Sequence, residues 1–356
     1  MDLFTIVVNV VKSGVLVFAL LTGFAYATYF ERKVIAKMQA RVGPNRAGPF
    51  GLLQPLADGL KLVFKENITP SGADLGVYFL APLASLVVAI VAFAVIPIGD
   101  PITFTWGGAE RTIPLAILDS NIALLYLLGV TSLAVYGIVL AGWSSDNKYS
   151  LIGGLRSSAQ MVSYELAMGI SLVGVVMVAG TLSIATIVDQ QRVLPYVLLQ
   201  PLGFLVYAVT AIAETNRAPF DLPEAEQELI AGYHTEYTGM RFALFFMAEY
   251  INMITVSAVA VSLFWGGYHL PCLAGTPVAF LCDLPWYLDV VVFMAKVAVA
   301  LFVFVWLRAT LPRLRYDQLM GLGWKVLLPL AVANVALTAV GLYLVASGAL
   351  PGGGGP

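Results

Sequence analysis

The chain has 356 residues, 60% of them hydrophobic and 11% charged, with 19 Lys and Arg against 21 Asp and Glu for a formal net charge of -2. Soluble domains are about one quarter charged, so this composition excludes a surface bathed in water throughout, and it is the opposite of what keeps a chain disordered. The near balance of charge leaves a general affinity for nucleic acid without an electrostatic basis, and a bilayer is the environment that remains.

Asp2 follows Met1 where a cleaved leader would carry basic residues, and the apolar stretch continues toward Phe30, so the first segment is expected to be a retained membrane helix. Crossing the hydrocarbon core takes roughly 20 apolar residues in a helix. Eight segments qualify: about 3–30, 76–97, 118–141, 156–180, 195–214, 240–265, 286–308 and 323–347. They are continuous rather than alternating, which excludes a membrane barrel. The expected fold is an all-α polytopic membrane protein, one domain over 1–347, with a flexible Gly-rich tail over 348–356. Asp119, Ser120 and Asn121, at the start of the third segment, fit a helix N-cap.

Eight crossings put both termini on one side and the loops at about 31–75, 142–156, 214–241 and 308–325 on the other. Those four loops carry fifteen of the 19 basic residues, among them Arg217 and Arg308, so the positive-inside rule turns them to the cytoplasm and the termini outward. In the first loop Gly43, Pro44, Asn45, Gly48 and Pro49 break the chain. Leu52, Leu53, Leu56, Leu60, Val63 and Phe64 then recur on one helical face, opposite Gln54, Asp58, Lys61 and Lys65. This segment is too short to span, and a helix lying along the membrane surface is predicted. It is either a peripheral anchor or, with the basic residues before it, the wall of an entrance for a ligand with a polar head and a long apolar tail.

Glu165 lies nine residues beyond Arg156, and Glu249 eight beyond Arg241. At about 1.5 Å per residue both carboxylates sit roughly 12 to 14 Å from the cytoplasmic ends of their helices. Lys296, twelve residues before Arg308, is expected near the midplane, and Glu214 nearer the cytoplasm. A charge at the bilayer centre costs at least about 2.5 to 3.5 kcal/mol, so such groups should face one another or a hydrated cavity. They form either a static ion pair that pins helices or a proton relay, and several at similar depth favour the relay. The third loop carries Glu214, Asp221, Glu224, Glu226, Glu228 and Glu236. A solvated acidic loop is the plain explanation, yet Glu224 and Glu228 after Pro223 would share a helical face and extend the buried set to the surface.

Cys272 and Cys282 share one outward loop, where either a disulfide or two unpaired thiols is permitted. With His234 and His269 they complete an inventory too small to ligate an iron–sulfur cluster, so any redox cofactor is expected in a partner.

Four stretches carry a family resemblance: ERKVIAKMQARVGPNRAGPFGLLQPLADGLKLVFKE from Glu31, AGWSSDNKYSLIGGLRSSAQMVSYE from Ala141, ETNRAPFDLPEAEQELIAGYHTEYTG from Glu214, and RATLPRLRYDQLMGLGWK from Arg308. From about residue 15 to 345 the chain resembles the H subunits of bacterial NADH:quinone oxidoreductase, respiratory complex I. The resemblance implies an eight-helix subunit of the bacterial inner membrane that shapes a quinone chamber with hydrophilic partners. FMN and iron–sulfur clusters would lie in those partners, with quinone as substrate and no cofactor on this chain. It places Glu31, Arg32, Arg41 and Arg46 beside the chamber, Phe50, Leu53, Leu56 and Phe64 at its entrance, and Phe220 at its wall. Asp221, Glu224, Glu226 and Glu228 match the family's acidic loop, and Glu165, Glu214 and Glu249 its buried carboxylate chain, to which Lys296 is added by depth. Ser132 stands where some relatives carry a glutamate. A homologous subunit of a membrane-bound hydrogenase or another ferredoxin- or deazaflavin-linked complex is the nearest alternative. An independent proton-coupled transporter is a further one, although no broken-helix repeat is evident.

Overall fold

The computed structural model describes residues 3–106, 109–221, 231–271 and 285–348. Glu224, Glu226, Glu228, Cys272, Cys282 and the tail beyond Gly348 lie outside the described residues. Among the described residues seven helical segments are long and apolar enough to cross a membrane.

The first, α1 (Leu3–Met38), has 36 residues and is about 54 Å long, well beyond the roughly 30 Å of a hydrocarbon core. It therefore carries Glu31, Arg32 and Lys33 on its last turns, where a loop was expected. A 3₁₀ turn at Pro49–Gly51 leads into the short amphipathic α2 (Gln54–Phe64), none of whose residues is buried. The second crossing, α3 (Leu75–Ala92), starts where the Asp74 side chain accepts the Val77 N–H.

The third segment is two helices, α4 (Ala123–Ser132) and α5 (Ala134–Ser144), bent at Leu133. Thr131 and Ser132 both turn their hydroxyls back onto the Leu128 carbonyl, a competition with the helical ladder that bends helices. The expected cap is displaced, because Ile122 is the N-cap and the Ser120 hydroxyl accepts the N–H of Ile122. α6 (Lys148–Ala179) starts eight residues earlier than expected, capped by the Asn147 side chain on the Tyr149 N–H. The second of the four long loops is thereby reduced to a short turn.

The fifth expected span is divided. α8 (Tyr196–Leu199), which follows the short α7 (Ile184–Gln190), stops at Gln200, and α9 (Pro201–Glu214) has only 14 residues, about 21 Å. Pro201 lacks the N–H that would bond back to Val197, and its ring clashes with that carbonyl, so the helix restarts there. α10 (Gly239–Phe264) and α11 (Trp286–Thr310) follow the expected limits closely. The last segment begins early with α12 (Tyr316–Leu322), passes through a π turn at Gly323–Leu327 and continues as α13 (Leu328–Ala346). Pro329 leaves the Lys325 carbonyl without its usual donor, which is where a wider turn is accommodated.

The departure from an all-helical chain is a hairpin between the second and third crossings. β1 (Ile102–Trp106) pairs antiparallel with β2 (Ala109–Ile113), Thr103 opposite Thr112. Its alternating pattern is too short to compete with the apolar runs around it in a search for spans.

α6 and α10 carry the most buried side chains and form the centre of the bundle. Small residues bring neighbours close, as in other membrane helix contacts. A Cβ on Gly153 would stand 2.7 Å from the Cα of Gly232, so the third loop packs directly on the start of α6.

Candidate functional site

Glu214 is the last residue of α9, and the chain reverses immediately after it through Asn216, whose φ is 51°. Gln160 on α6 holds both limbs of the reversal, donating its amide to Ala213 O at 2.7 Å and Phe220 O at 2.8 Å. Phe220 is buried edge-on against Tyr164, ring centroids 5.5 Å apart, and the Tyr164 hydroxyl donates to Leu319 O on α12. The loop is therefore fastened to two helices before its acidic stretch begins.

Inside this reversal Arg217 is only 3% exposed. Its Nε is 2.5 Å from Glu249 Oε1 on α10, and its guanidinium lies 4.2 Å over the ring of Tyr250. The Tyr250 hydroxyl donates at 2.8 Å to Glu31 on α1, and Glu31 is ion-paired with Arg308 on α11. Charges of alternating sign thus run from Arg308 through Glu31 and Arg217 to Glu249, tying three helices and a loop together. Each buried charge has an opposite neighbour, the condition under which such groups are tolerated.

Glu249 and Glu214 face a common cavity of about 40 Å³, also lined by Ser85, Asn216 and Asn252. At about 10 to 15 Å³ per water centre this holds roughly three waters, with enough polar partners to keep them. A second cavity of about 10 Å³, lined by Thr131, Tyr207 and Thr255, touches Glu214 from its other side. Glu214 Oε2 is buried, and among the described residues it has no hydrogen-bond partner. A buried carboxyl oxygen in that position calls for a water or a proton. Glu165 on α6 is within electrostatic reach of Glu214 and is hydrogen-bonded to the Ser132 hydroxyl at the bend between α4 and α5. Ser132 is exposed on the outside of the bundle, so the carboxylates form a line from its centre to its flank.

Lys296 is not brought to this group. Its ammonium donates to the carbonyls of Trp265, Gly267 and His269, at the far end of α10. Its stem is long enough to carry the charge to the backbone carbonyls of the turn that follows α10. Lys12, the other cation inside a span, likewise reaches Pro114 O and Ala116 O.

At the opposite end Arg32 pairs with Asp58 at 2.6 Å, and Asp58 also accepts from Gln54 at 3.1 Å. Tyr29 donates to Phe50 O at 2.7 Å, Arg41 to Gln39, and Arg46 is exposed. Phe50, Leu53, Leu56, Leu60, Val63 and Phe64 are all more than half exposed, an apolar stripe that runs from the turn before α2 along the helix. Gly51 has φ 82°, and a Cβ there would collide with the Pro44 carbonyl, so the entry to α2 depends on glycine. Asp221 is partly exposed at the edge of the described loop.

Sequence reasoning brought Glu165, Glu214 and Glu249 together but missed Arg217, Tyr250 and Arg308 as members of the network. The signal for Arg217 was its position three residues after Glu214, and for Tyr250 its adjacency to Glu249.

The profile of the NADH dehydrogenase family matches residues 11–339. The chain is 53% identical to the H subunit of the NADH-quinone oxidoreductase of Thermomicrobium roseum over 348 residues, covering 95% of this chain and 97% of that one. It is 53% identical to the H subunit from Protochlamydia amoebophila over 318 residues, 89% and 92% of the two chains. It is 52% identical to the H subunit numbered 1 from Geobacter sulfurreducens over 334 residues, 92% of each.

Proposed function

The chain belongs to the NADH dehydrogenase family, as an H-type membrane subunit of NADH-quinone oxidoreductase, and from that premise we propose that it forms one wall of the quinone chamber and passes the effect of quinone reduction to buried carboxylates that move protons. It acts with the other subunits of the complex and has no complete catalytic site of its own; FMN and iron–sulfur clusters belong to the partners in this reading. The α8–α9 pair makes the eighth crossing, with both termini on the outer side of a bacterial inner membrane. The whole of 1–347 acts as a single membrane domain.

The exposed apolar stripe of α2 and the basic residues Arg32, Arg41 and Arg46 beside it suit the tail and the head of a quinone at its entrance. Glu31 and Phe220 stand behind that entrance, Glu31 in the charge network and Phe220 at the base of the loop that continues through Asp221 into Glu224, Glu226 and Glu228. A change of charge at the quinone head alters the field on this loop. Arg217 is the group through which it reaches Glu249.

The observation that carries the proposal is the position of Glu214 between two cavities, with Glu249 across one of them and Glu165 in electrostatic reach. Carboxyls joined by small hydrated spaces can exchange protons; carboxyls locked only in ion pairs cannot. The 2.5 Å contact of Arg217 with Glu249 favours a second reading in which that pair serves only to pin the loop to α10. Glu249→Gln and the Glu165→Gln, Glu249→Gln double variant in the intact complex separate the two. The relay requires proton translocation to fail in the double variant, and full pumping there leaves only the pinning role.

A further inference from the structure

The end of the bundle away from α2 holds a second set of ionisable groups that the coupling reading does not use. Asp100 follows α3, Asp189 lies on α7, His269 follows α10, and Asp289 sits in the first turns of α11. Four separate elements therefore meet at one point. A donor atom from each of Asp100, Asp189 and His269 lies within 4.8 Å of the others, and His269 Nε2 is 3.2 Å from Asp189 Oδ1. In a tetrahedral zinc site, ligand atoms about 2.0 to 2.2 Å from the metal stand about 3.4 Å apart, so one edge of such a site is already in place.

Asp289 supplies the independent observation. It is 2% exposed, its carboxylate accepts the backbone N–H of Asp100, and it lies in the field of Asp100, His269 and Arg192. Its Oδ2 is buried and has no hydrogen-bond partner among the described residues. A buried carboxyl oxygen left in that condition calls for a proton, a water or another group that completes it. The cation present, Arg192, does not: it stands 3.5 Å from Asp189 and 3.7 Å from Asp100, and its side chain is 47% exposed. Asp100 and Asp189 alone set two carboxylates against that one guanidinium, an excess of negative charge beside the imidazole.

The surroundings are fixed as those of a metal site are fixed. Lys296 donates to the His269 carbonyl, and Gln191 binds the same turn by accepting the Gly266 N–H at 3.1 Å and donating to Ser262 O at 2.9 Å. The Tyr268 hydroxyl is hydrogen-bonded to Asp100. The Tyr268 bond orients one ligand side chain, and the Lys296 and Gln191 bonds fix the backbone turn that carries His269. Asp189 and Asp100 are open to water while His269 and Asp289 are buried, which gives a path of entry.

We propose that Asp100, Asp189 and His269 bind a divalent transition-metal cation of the zinc class, with a water in the fourth position and Asp289 as the buried acceptor behind it. The imidazole selects against calcium and magnesium, which take oxygen ligands, and two carboxylates with one imidazole form a zinc-type set. Arg192 gives way to solvent when the cation enters. The ion would clamp the connections after α3, α6 and α10 to one another beside the start of α11.

The test uses the assembled complex, stripped with chelator, reloaded with Zn²⁺ and washed, with bound zinc counted by elemental mass spectrometry. The wild type is expected to hold one more equivalent than complexes carrying Asp189→Asn or His269→Gln, while Asp119→Asn keeps the wild-type count. Equal counts in all four overturn the proposal. If neither site variant assembles, zinc-edge anomalous diffraction from the loaded wild-type complex decides. A peak between Asp189 and His269 supports the site, and its absence at saturating Zn²⁺, or an adventitious ion only at other residues, refutes it.

Discussion

Arg217 reaches Glu249 at 2.5 Å while its guanidinium plane covers the ring of Tyr250 at 4.2 Å. One side chain from the third loop thereby fixes two adjacent residues of α10, one of which faces the cavity shared with Glu214 and the other Glu31. The loop and the cavity cannot move independently. A signal arriving at the loop is felt by Glu249 through a single buried contact in a medium where charge acts strongly.

Removing one partner of such a pair strands the other. Arg217→Gln is expected to cost about 3 to 5 kcal/mol, enough to lower the yield of assembled complex, because it leaves Glu249 buried without its counter-ion. The double variant with Glu249→Gln should recover much of that loss. Thermal dissociation followed by native gel electrophoresis checks both; a double variant as fragile as the single one would show that Arg217 acts through the Tyr250 ring instead.

Tyr250→Phe keeps the ring under Arg217 and removes only the hydroxyl that donates to Glu31. Hydrogen bonds to charged groups contribute about 1.5 to 3 kcal/mol, and Glu31 retains Arg308, so assembly should survive. The expected effect is on coupling: quinone reduction continues, with a lower ratio of protons moved to electrons transferred. An unchanged ratio would confine Glu31 and Tyr250 to a structural role.

The shared cavity makes its own prediction. Asn252→Leu replaces a polar lining group with a larger apolar one and dries the space between Glu214 and Glu249. Proton translocation should fall several-fold while the iron–sulfur signals of the complex stay intact. Wild-type pumping with a filled cavity would mean that protons take another route.

The membrane class was legible because eight apolar runs exceed any soluble core. The helix limits that moved did so for local chemical reasons. Pro201 cut the fifth span, Asn147 started α6 early, and paired hydroxyls at Thr131 and Ser132 bent the third. Depth counted along a helix groups Glu165 and Glu249 with Lys296, yet the Lys296 ammonium lies away from the cavity that Glu249 shares with Glu214. A backbone count does not say which way a long flexible side chain turns, and this one runs to the carbonyls of the turn after α10. Arg217 read as a surface charge because its place in a charged loop hides that the chain doubles back at Asn216 and buries it; only its closeness to Glu214 pointed inward.

Tyr237, in the turn ahead of α10, gives a pH prediction. Burial pushes its phenol up from 10.0 to about 12, against hydrogen bonding to Ser144, and its ring stacks on Tyr78 at 4.2 Å. The folded state favours the protonated phenol, so its contribution is fully present below the ordinary value and is lost as pH rises from about 10 to about 12. The assembled complex should lose thermal stability across that window. Tyr237→Phe, which cannot ionise, should flatten the loss, at the cost of the bonds to Ser144 and Tyr78 O. An equally steep alkaline loss in the variant would assign it to other groups.

Gly51→Ala tests the entrance. With φ at 82° and the Pro44 carbonyl in the way, the added methyl group cannot be accommodated without moving the turn that leads into α2. The strain is on the order of 1 kcal/mol or more and falls on the turn that positions α2. If α2 borders the path of a long-tailed quinone, KM for that quinone should rise while NADH oxidation by a water-soluble acceptor, which bypasses the membrane, is unchanged. A short-tailed quinone should be affected less than a long-tailed one, because only the tail needs the apolar stripe from Leu53 to Phe64. Equal KM values for all quinones in variant and wild type would leave α2 as an anchor to the membrane surface and nothing more.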